Sequence, residues 1–169
     1  MFRLKPTYVV ERVTDINLED LKEDGIKGLI FDLDNTLMPP KTSVFPEDIV
    51  EWIEEVKKDF KIAILSNNPD KLYVKEAGNQ LGCISFHKAG KPRRKAAVKS
   101  LRDLDLIPSQ VVIVGDRPLT DIWLGQRLGL VTILVDPLIK HQEMWIVKQL
   151  RKLERIFISS PKKTFGNRD

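Results

Sequence analysis

Two kinds of hydrophobic pattern alternate along the chain. Short continuous apolar runs recur: Leu29-Ile30-Phe31, Ile62-Ala63-Ile64-Leu65, Cys83 to Phe86, Val111-Val112-Ile113-Val114 and Val131 to Val135. Their length and β-branched content are those of strands buried on both faces. Between them the apolar residues take helical spacing. Ile49, Ile53, Val56 and Phe60 make one stripe behind Pro46, and Glu47 and Asp48 suit a helix N-terminus. The spacing predicts a second helix over 70–81 closed by Gly82, and a third over 93–104 with Ala97, Leu101 and Leu104 inward. A fourth runs from Ile122 to Leu128, where Gly129 stops it, and a last one from about Leu138 to Phe157. Asn17 is placed to cap a short helix, Leu18 to Glu23, that Gly25 ends. Residues 1–16 read as an extended lead-in covering one edge, and 158–169 as a polar, basic tail. Five strands alternating with helices predict a three-layer α/β fold, a Rossmann-like parallel sheet with helices on both faces, in one domain spanning 1–169.

The informative positions lie just past the strands. Polar clusters stand at four carboxyl ends: Asp32 and Asp34, Ser66 and Asn67, Lys91, and Asp116 with Asp121. In open α/β sheets ligands bind beyond the carboxyl ends of the strands, so these clusters predict one composite site. Asp32 and Asp34 cannot sit at a buried strand end without a cation or strong hydrogen bonds to offset their desolvation. Asp32, Asp34 and Asp116 offer hard oxygen ligands of the kind Mg²⁺ takes. Lys91, Ser66 and Asn67 suit the oxygens of a phosphoryl group, whose transfer depends on positioning and on spreading charge. Arg117 and Thr120 face the same rim by position.

In this order, Asp32-Leu33-Asp34-Asn35-Thr36-Leu37, Ser66 after an apolar run, Lys91-Pro92, and Gly115-Asp116 with Asp121 resemble the four motifs of the haloacid dehalogenase-like (HAD) phosphatases. The resemblance covers nearly the whole chain. It implies that Asp32 is the nucleophile and Asp34 the general acid/base, and that Ser66 and Lys91 bind the phosphoryl group; Asn67 by its chemistry and Arg117 by its place at the rim are further candidates for holding substrate, though loop polarity alone would also explain Arg117. It further implies Mg²⁺ held by Asp32, Asp116 and the main-chain carbonyl of Asp34, with Asp121 as an outer acid steadying the metal water or Lys91; Thr120 is a supporting candidate by position alone. About thirty residues separate Asp34 from Ser66 and about twenty-five separate Ser66 from Lys91. The predicted elements use nearly all of them, so no cap domain is expected and the site should be open. The lead-in ending Gly25-Ile26-Lys27-Gly28, the string His87-Lys88-Ala89-Gly90-Lys91-Pro92 and the run Gly115 to Asp121 resemble the YqeG branch, which is similar to phosphatidylglycerophosphate phosphatases. That implies a lipid-borne phosphate as substrate, with phosphatidylglycerol as product.

Composition adds limits. The chain of 169 residues carries 28 Lys and Arg against 24 Asp and Glu, a net charge of +4 that favours anionic partners without naming one. The basic residues read as dispersed and not interleaved with aromatics, so nucleic acid is not expected. Cys83 is the only cysteine, and a reduced, cytoplasmic setting with a structural thiol is the plain reading. Residues 1–6 have no long apolar core, so no signal peptide is expected. Ile146, Leu150, Leu153 and Phe157 form a stripe in the last helix, with Trp145 near its start and Lys148, Arg151, Lys152 and Arg155 largely off it. Such a helix either docks on the sheet or lies on an anionic membrane surface. His87 reads as a packing or surface residue. The main rival to a lipid phosphatase is a phosphatase of a soluble ester or phosphoprotein. A non-catalytic phosphate- or membrane-binding module is the alternative of another class, and the sequence says nothing of oligomeric state.

Overall fold

The computed structural model describes residues 3–139, 152, 154 and 156–166. Six parallel strands form one sheet in the order β1-β6-β5-β2-β3-β4. They are β1 (Tyr8–Val10), β2 (Gly28–Phe31), β3 (Lys61–Leu65), β4 (Ile84–Phe86), β5 (Val111–Gly115) and β6 (Val131–Val135). The helices are α1 (Leu18–Glu23), α2 (Glu47–Asp59), α3 (Lys71–Leu81), α4 (Lys95–Leu104) and α5 (Trp123–Leu128). The extra strand, β1, comes from the lead-in, which pairs with β6 and so covers that edge. Residues 32–60 hold a loop and α2, and residues 66–83 hold α3, so neither interval contains an inserted domain.

Alternation along β2 builds both cores at once. Leu29 and Phe31 point into one apolar cluster with Ile49, Ile53 and Val56 of α2 and Val74 and Ala77 of α3. Ile30 points the other way, into a cluster with Ala97, Leu101 and Leu104 of α4 and Leu124 of α5. A strand buried on both faces therefore needs an unbroken apolar run, and β2 is buried at every position. Cys83 packs against the first cluster, and burial pushes its thiol up to about 11, against a lowering by Lys57. That suits a structural thiol.

Caps follow the side chains that sequence supplies. Asn17 accepts from Asp20 N at the start of α1, Asp70 accepts from Tyr73 N at the start of α3, and Gly82 ends α3 in the left-handed region at φ 63°. Pro46 stands just before α2, and α4 begins two residues later than its spacing predicts. Pro118–Ile122 winds as a π turn ahead of α5, placing Asp121 inside the fold.

Two expectations at the carboxyl-terminal end are corrected. Leu138 and Ile139 are not helical: their amides donate to Asn35 O (3.0 Å) and Asn35 Oδ1 (3.3 Å), which ties this stretch to the β2 loop. Most of the predicted last helix, including Trp145, Ile146, Lys148, Leu150, Arg151, Leu153 and Arg155, lies outside the described residues. Lys152, Glu154 and Ile156 are helical, and Phe157 is in a turn. The tail is more than a basic extension. Ile158 bridges Leu4, Lys163 pairs with Asp24 at 2.8 Å, and the Phe165 ring stacks on Tyr8 with centroids 4.0 Å apart.

Gly125 sets how closely α5 approaches the sheet. A Cβ there would collide with Thr132 Cγ2 of β6 and come within 2.6 Å of Ile113 Cγ2 of β5. Both neighbours are β-branched and rooted in strands, so neither can yield cheaply. Gly125→Ala is expected to lose about 1–3 kcal/mol, as overpacked cores do, read as a lower urea midpoint with an unchanged slope. A midpoint equal to that of the parent protein would mean that α5 does not sit this close.

Candidate active site

Strand register brings the polar clusters to one level. Phe31 pairs with Ile64 on one side and with Val114 on the other. The next residues of these three strands therefore leave the sheet together. Asp32 follows β2 directly and its amide donates to Val114 O at 2.9 Å. Ser66 follows β3 and Asp116 follows β5. Lys91 arrives from the loop after β4, at the far side of the same rim. A pocket of about 220 Å³ results, lined by Asp32, Asp34, Asn35, Ser66, Asn67, Asn68, Lys91, Asp116, Arg117 and Thr120. Of the site residues expected from sequence, only Asp121 stands behind this lining.

The centre is an ammonium shared by two carboxylates. Lys91 Nζ donates to Asp32 Oδ1 and to Asp121 Oδ1, each at 2.7 Å, and the lysine side chain is 2% exposed. Burial works against the charge of Lys91, but Asp121 and Asp32 outweigh it and raise its pKa, so it stays protonated. Asp121 is pulled both ways. Its burial, aided by the charge of Asp32, raises its pKa more than Lys91 and the Arg117 amide lower it. An acid paired with a buried lysine would ordinarily be lowered. Here one cation serves two acids, so desolvation wins. Asp121 is also the reason that residue 115 is glycine, since a Cβ there would collide with the Asp121 carboxylate.

Backbone clamps hold Lys91 in place. Asn67 Oδ1 accepts from Lys91 N at 2.7 Å and Asn67 Nδ2 donates to Lys91 O at 3.1 Å. The Asn67 amide, expected to hold substrate, is thus engaged in positioning the lysine. Ser66 is buried, and its Oγ accepts from Asn68 N at 3.1 Å. Thr36 Oγ1 donates towards Asp32 Oδ2 (3.4 Å) and Asp116 Oδ1 (3.3 Å), bridging the acids of two strands. Thr120 Oγ1 reaches only Arg117 O, at 3.5 Å.

Asp34 leaves the acidic cluster and turns to a separate pair of donors. Tyr73 OH donates to its Oδ1 at 2.6 Å and Asn68 Nδ2 to its Oδ2 at 3.2 Å. Burial and the Asp34 carboxylate both raise the Tyr73 pKa, which keeps the phenol a donor. Its oxygen also accepts from Lys41 N at 3.1 Å. Arg117 lines the pocket, yet its Nη2 donates to Glu154 Oε1 at 2.8 Å, and that glutamate is 3% exposed. Sequence reasoning missed Tyr73, Asn68 and Glu154 and gave Thr36 no role. Tyr73 had a signal, since the first turn of a helix that starts at the rim points its side chains there. Glu154 had none.

The donor set fits a divalent cation. Carboxylate oxygens of Asp32, Asp116 and Asp121 lie within 4.8 Å of one another. Hard oxygens at that separation suit Mg²⁺ or a similar ion. The side chain of Asp34 is not in this set, which leaves it only the main-chain carbonyl that the resemblance assigns to it.

Several known proteins are similar to this chain. Residues 2–139 match the family model described as mitochondrial PGP phosphatase, PGP being phosphatidylglycerophosphate. The chain is 36% identical to the probable phosphatase YqeG of Bacillus subtilis over 94% of its own length and 91% of that protein. It is 34% identical to phosphatidylglycerophosphate phosphatase 1, chloroplastic/mitochondrial, of Arabidopsis thaliana, over 88% of this chain and 45% of that longer one. Among solved structures, the cobalt-bound deoxy-D-mannose-octulosonate 8-phosphate phosphatase of Haemophilus influenzae superposes with a TM-score of 0.55 at 18% identity. That match covers 68% of this chain and 70% of the other, and at such identity it speaks for the fold. With the family model spanning most of the chain, and a lysine-bridged acid pair at the end of its central strand, this protein belongs to the PGP phosphatase family of HAD-type phosphatases.

Proposed function

We propose that the protein hydrolyses the phosphomonoester of phosphatidylglycerophosphate, releasing inorganic phosphate and phosphatidylglycerol, through an aspartyl-phosphate on Asp32. The observation that carries the chemistry is the division of labour between two neighbouring acids. Asp32 is bonded to Lys91, while Asp34, two residues on, is held apart by Tyr73 and Asn68. A nucleophile next to a cation and a second acid free to exchange a proton are what a two-step displacement needs. The lipid substrate draws support from the family and from the Arabidopsis thaliana relative.

In the first step an Asp32 carboxylate oxygen bonds to phosphorus and the phosphorus–oxygen ester bond breaks. Asp34 acts as the general acid towards the departing alkoxide. In the second, water attacks the phosphorus of the aspartyl-phosphate while Asp34 takes its proton. The acyl–phosphate bond breaks, phosphate leaves and Asp32 is restored. Lys91 and Ser66 contact the phosphoryl oxygens, and Asn67 keeps the lysine aimed. Mg²⁺ held by Asp32, Asp116 and the Asp34 carbonyl would supply the positive charge that lets a phosphate dianion approach an anionic nucleophile. Asp121 and Thr36 steady this cluster from outside the pocket. Arg117, which lines the pocket and is paired with Glu154, would meet substrate oxygens beyond the phosphate.

Phosphate release should be measured, with and without Mg²⁺, on phosphatidylglycerophosphate in mixed micelles, on nucleotides, on sugar phosphates and on an aryl phosphate. The expected result is metal-dependent turnover much faster on the lipid. Activity confined to soluble esters would discard the lipid and keep the chemistry. Asp32→Asn should abolish turnover on every substrate while the circular dichroism spectrum and unfolding midpoint stay near the parent values; an active variant would overturn the nucleophile assignment.

Tyr73 acts through Asp34, so it is a positioning residue. Tyr73→Phe removes one strong hydrogen bond from the acid and leaves the ring packed. We expect kcat to fall by about 10- to 100-fold, as a loss of about 1.5–3 kcal/mol for a bond to a charged group implies. KM for the aryl phosphate should move less than about threefold, because Tyr73 makes no contact in the phosphate cradle. Loss of KM with kcat intact would assign Tyr73 to substrate binding instead.

A further inference from the structure

Exposed charge is unevenly spread over the molecule. From Ala77 to Arg102 the chain has seven Lys and Arg and no Asp or Glu, although its net charge as a whole is only +4. Helix α2, in contrast, carries Glu47, Asp48, Glu51, Glu54, Glu55 and Asp59. Helix α2 packs in one apolar cluster and α4 in the other, so acid and base are separated by the sheet. The basic residues are dispersed over the chain as a whole but concentrated in this one stretch.

Four of these cations, Lys88, Arg93, Arg94 and Lys95, surround Lys91 in sequence and are exposed. None of the four forms an ion pair with a described residue; farther along, Lys99 pairs with Asp103. Each lies within four positions of Lys91, hence within about 15 Å of it along the chain. The segment is tied to the site. Lys88 N donates to Asn68 O (2.8 Å), Ala89 N to Ser66 O (2.9 Å), and Arg127 Nη1 to Pro92 O (2.7 Å). These charges are therefore carried near the pocket that Lys91 lines, on a loop and the start of α4 that these hydrogen bonds fix. Mutually repelling cations held side by side, with no acids interspersed, favour an extended anionic surface as counterpart.

We propose that the segment Lys88–Lys95 is a docking surface for an anionic phospholipid membrane, which it meets with the pocket mouth towards the headgroups. This rests on the lipid-substrate reading above, and it chooses a membrane over other polyanions because the substrate would be presented there. Basic side chains near an anionic leaflet add attraction individually, and the attraction is screened within about 10 Å at 0.1 M salt.

Sedimentation with vesicles of phosphatidylcholine, with and without phosphatidylglycerol, tests it using the full chain. The parent protein should bind the anionic vesicles, leave the neutral ones and release as salt rises. The variant Lys88→Gln/Arg93→Gln/Arg94→Gln/Lys95→Gln should lose on the order of several hundredfold in partitioning, given about fivefold for each of four cations. Its turnover of a soluble aryl phosphate should stay within about twofold of the parent, which also shows that it folds. The charge-keeping variant Lys88→Arg/Lys95→Arg should bind as the parent does. Parent-like binding by the fourfold variant, or no binding by the parent, would overturn the docking surface. Tighter retention of the parent on duplex DNA than on vesicles would overturn the choice of a lipid surface. Micellar turnover is a separate readout. A protein that binds vesicles through this loop but ignores the micellar lipid keeps the surface and loses the substrate reading; one that hydrolyses the lipid but binds vesicles without the loop does the reverse.

Discussion

One buried ammonium holds the site together. Lys91 Nζ stands 2.7 Å from both Asp32 and Asp121, and all three are shielded from water to different degrees, Asp32 least. Charges at about 4 Å attract by roughly 4 kcal/mol at an effective dielectric of 20, and burying each ion costs several kcal/mol. One lysine cannot fully offset two acids, and the raised pKa of Asp121 is the visible residue of that imbalance. The cluster is thus left short of positive charge. With Asp116 added, three carboxylates gather within a few ångströms of one another. That density of acidic oxygens is the electrostatic reason to expect a divalent ion here.

The sheet exists, in functional terms, to bring that lysine and those acids to one place. Parallel strands in register end together, so residues far apart in sequence leave the sheet at one height. Asp32, Ser66 and Asp116 do so because Phe31 is level with both Ile64 and Val114. Close approach is then secured by what is missing. Gly115 has no side chain, which lets Asp121 fold back beneath the strand end, and Gly125 lets α5 sit down on β5 and β6. A fold that aims polar groups this way needs small residues at the joints, and Gly115 and Gly125 supply them.

Much of this was legible in the sequence, for physical reasons that also explain what was not. The five apolar runs are strands because burial on both faces demands continuity, and their carboxyl ends were readable as the site because Asp32, Ser66, Lys91 and Asp116 are chemically out of place beside them. Strand β1 escaped because three residues at a sheet edge, one of them exposed, carry no periodic signal. Tyr73 was signalled in place, by the first turn of α3, but its bond to Asp34 spans 39 residues and that of Asn68 spans 34, and no local pattern encodes such a pairing. Glu154 lies beyond even that. A glutamate on a basic helix reads as a solvated charge until its partner Arg117 is seen beside it. Asn67 was read by its chemistry as a substrate-holding amide, whereas the object it grips is the lysine backbone.

Openness and charge belong to one design. With only a loop and α2 in one interval and α3 in the other, nothing in the described chain closes over the pocket. A phosphoryl group alone gives an enzyme few handles by which to orient its substrate. A large substrate embedded in a surface arrives already oriented, and the protein then needs only to meet that surface at the correct angle. Cations fixed on the loop that carries Lys91 would set that angle through the same backbone hydrogen bonds that aim the lysine. Docking and catalysis would then share one rigid segment, and the clamp by Asn67 would serve both.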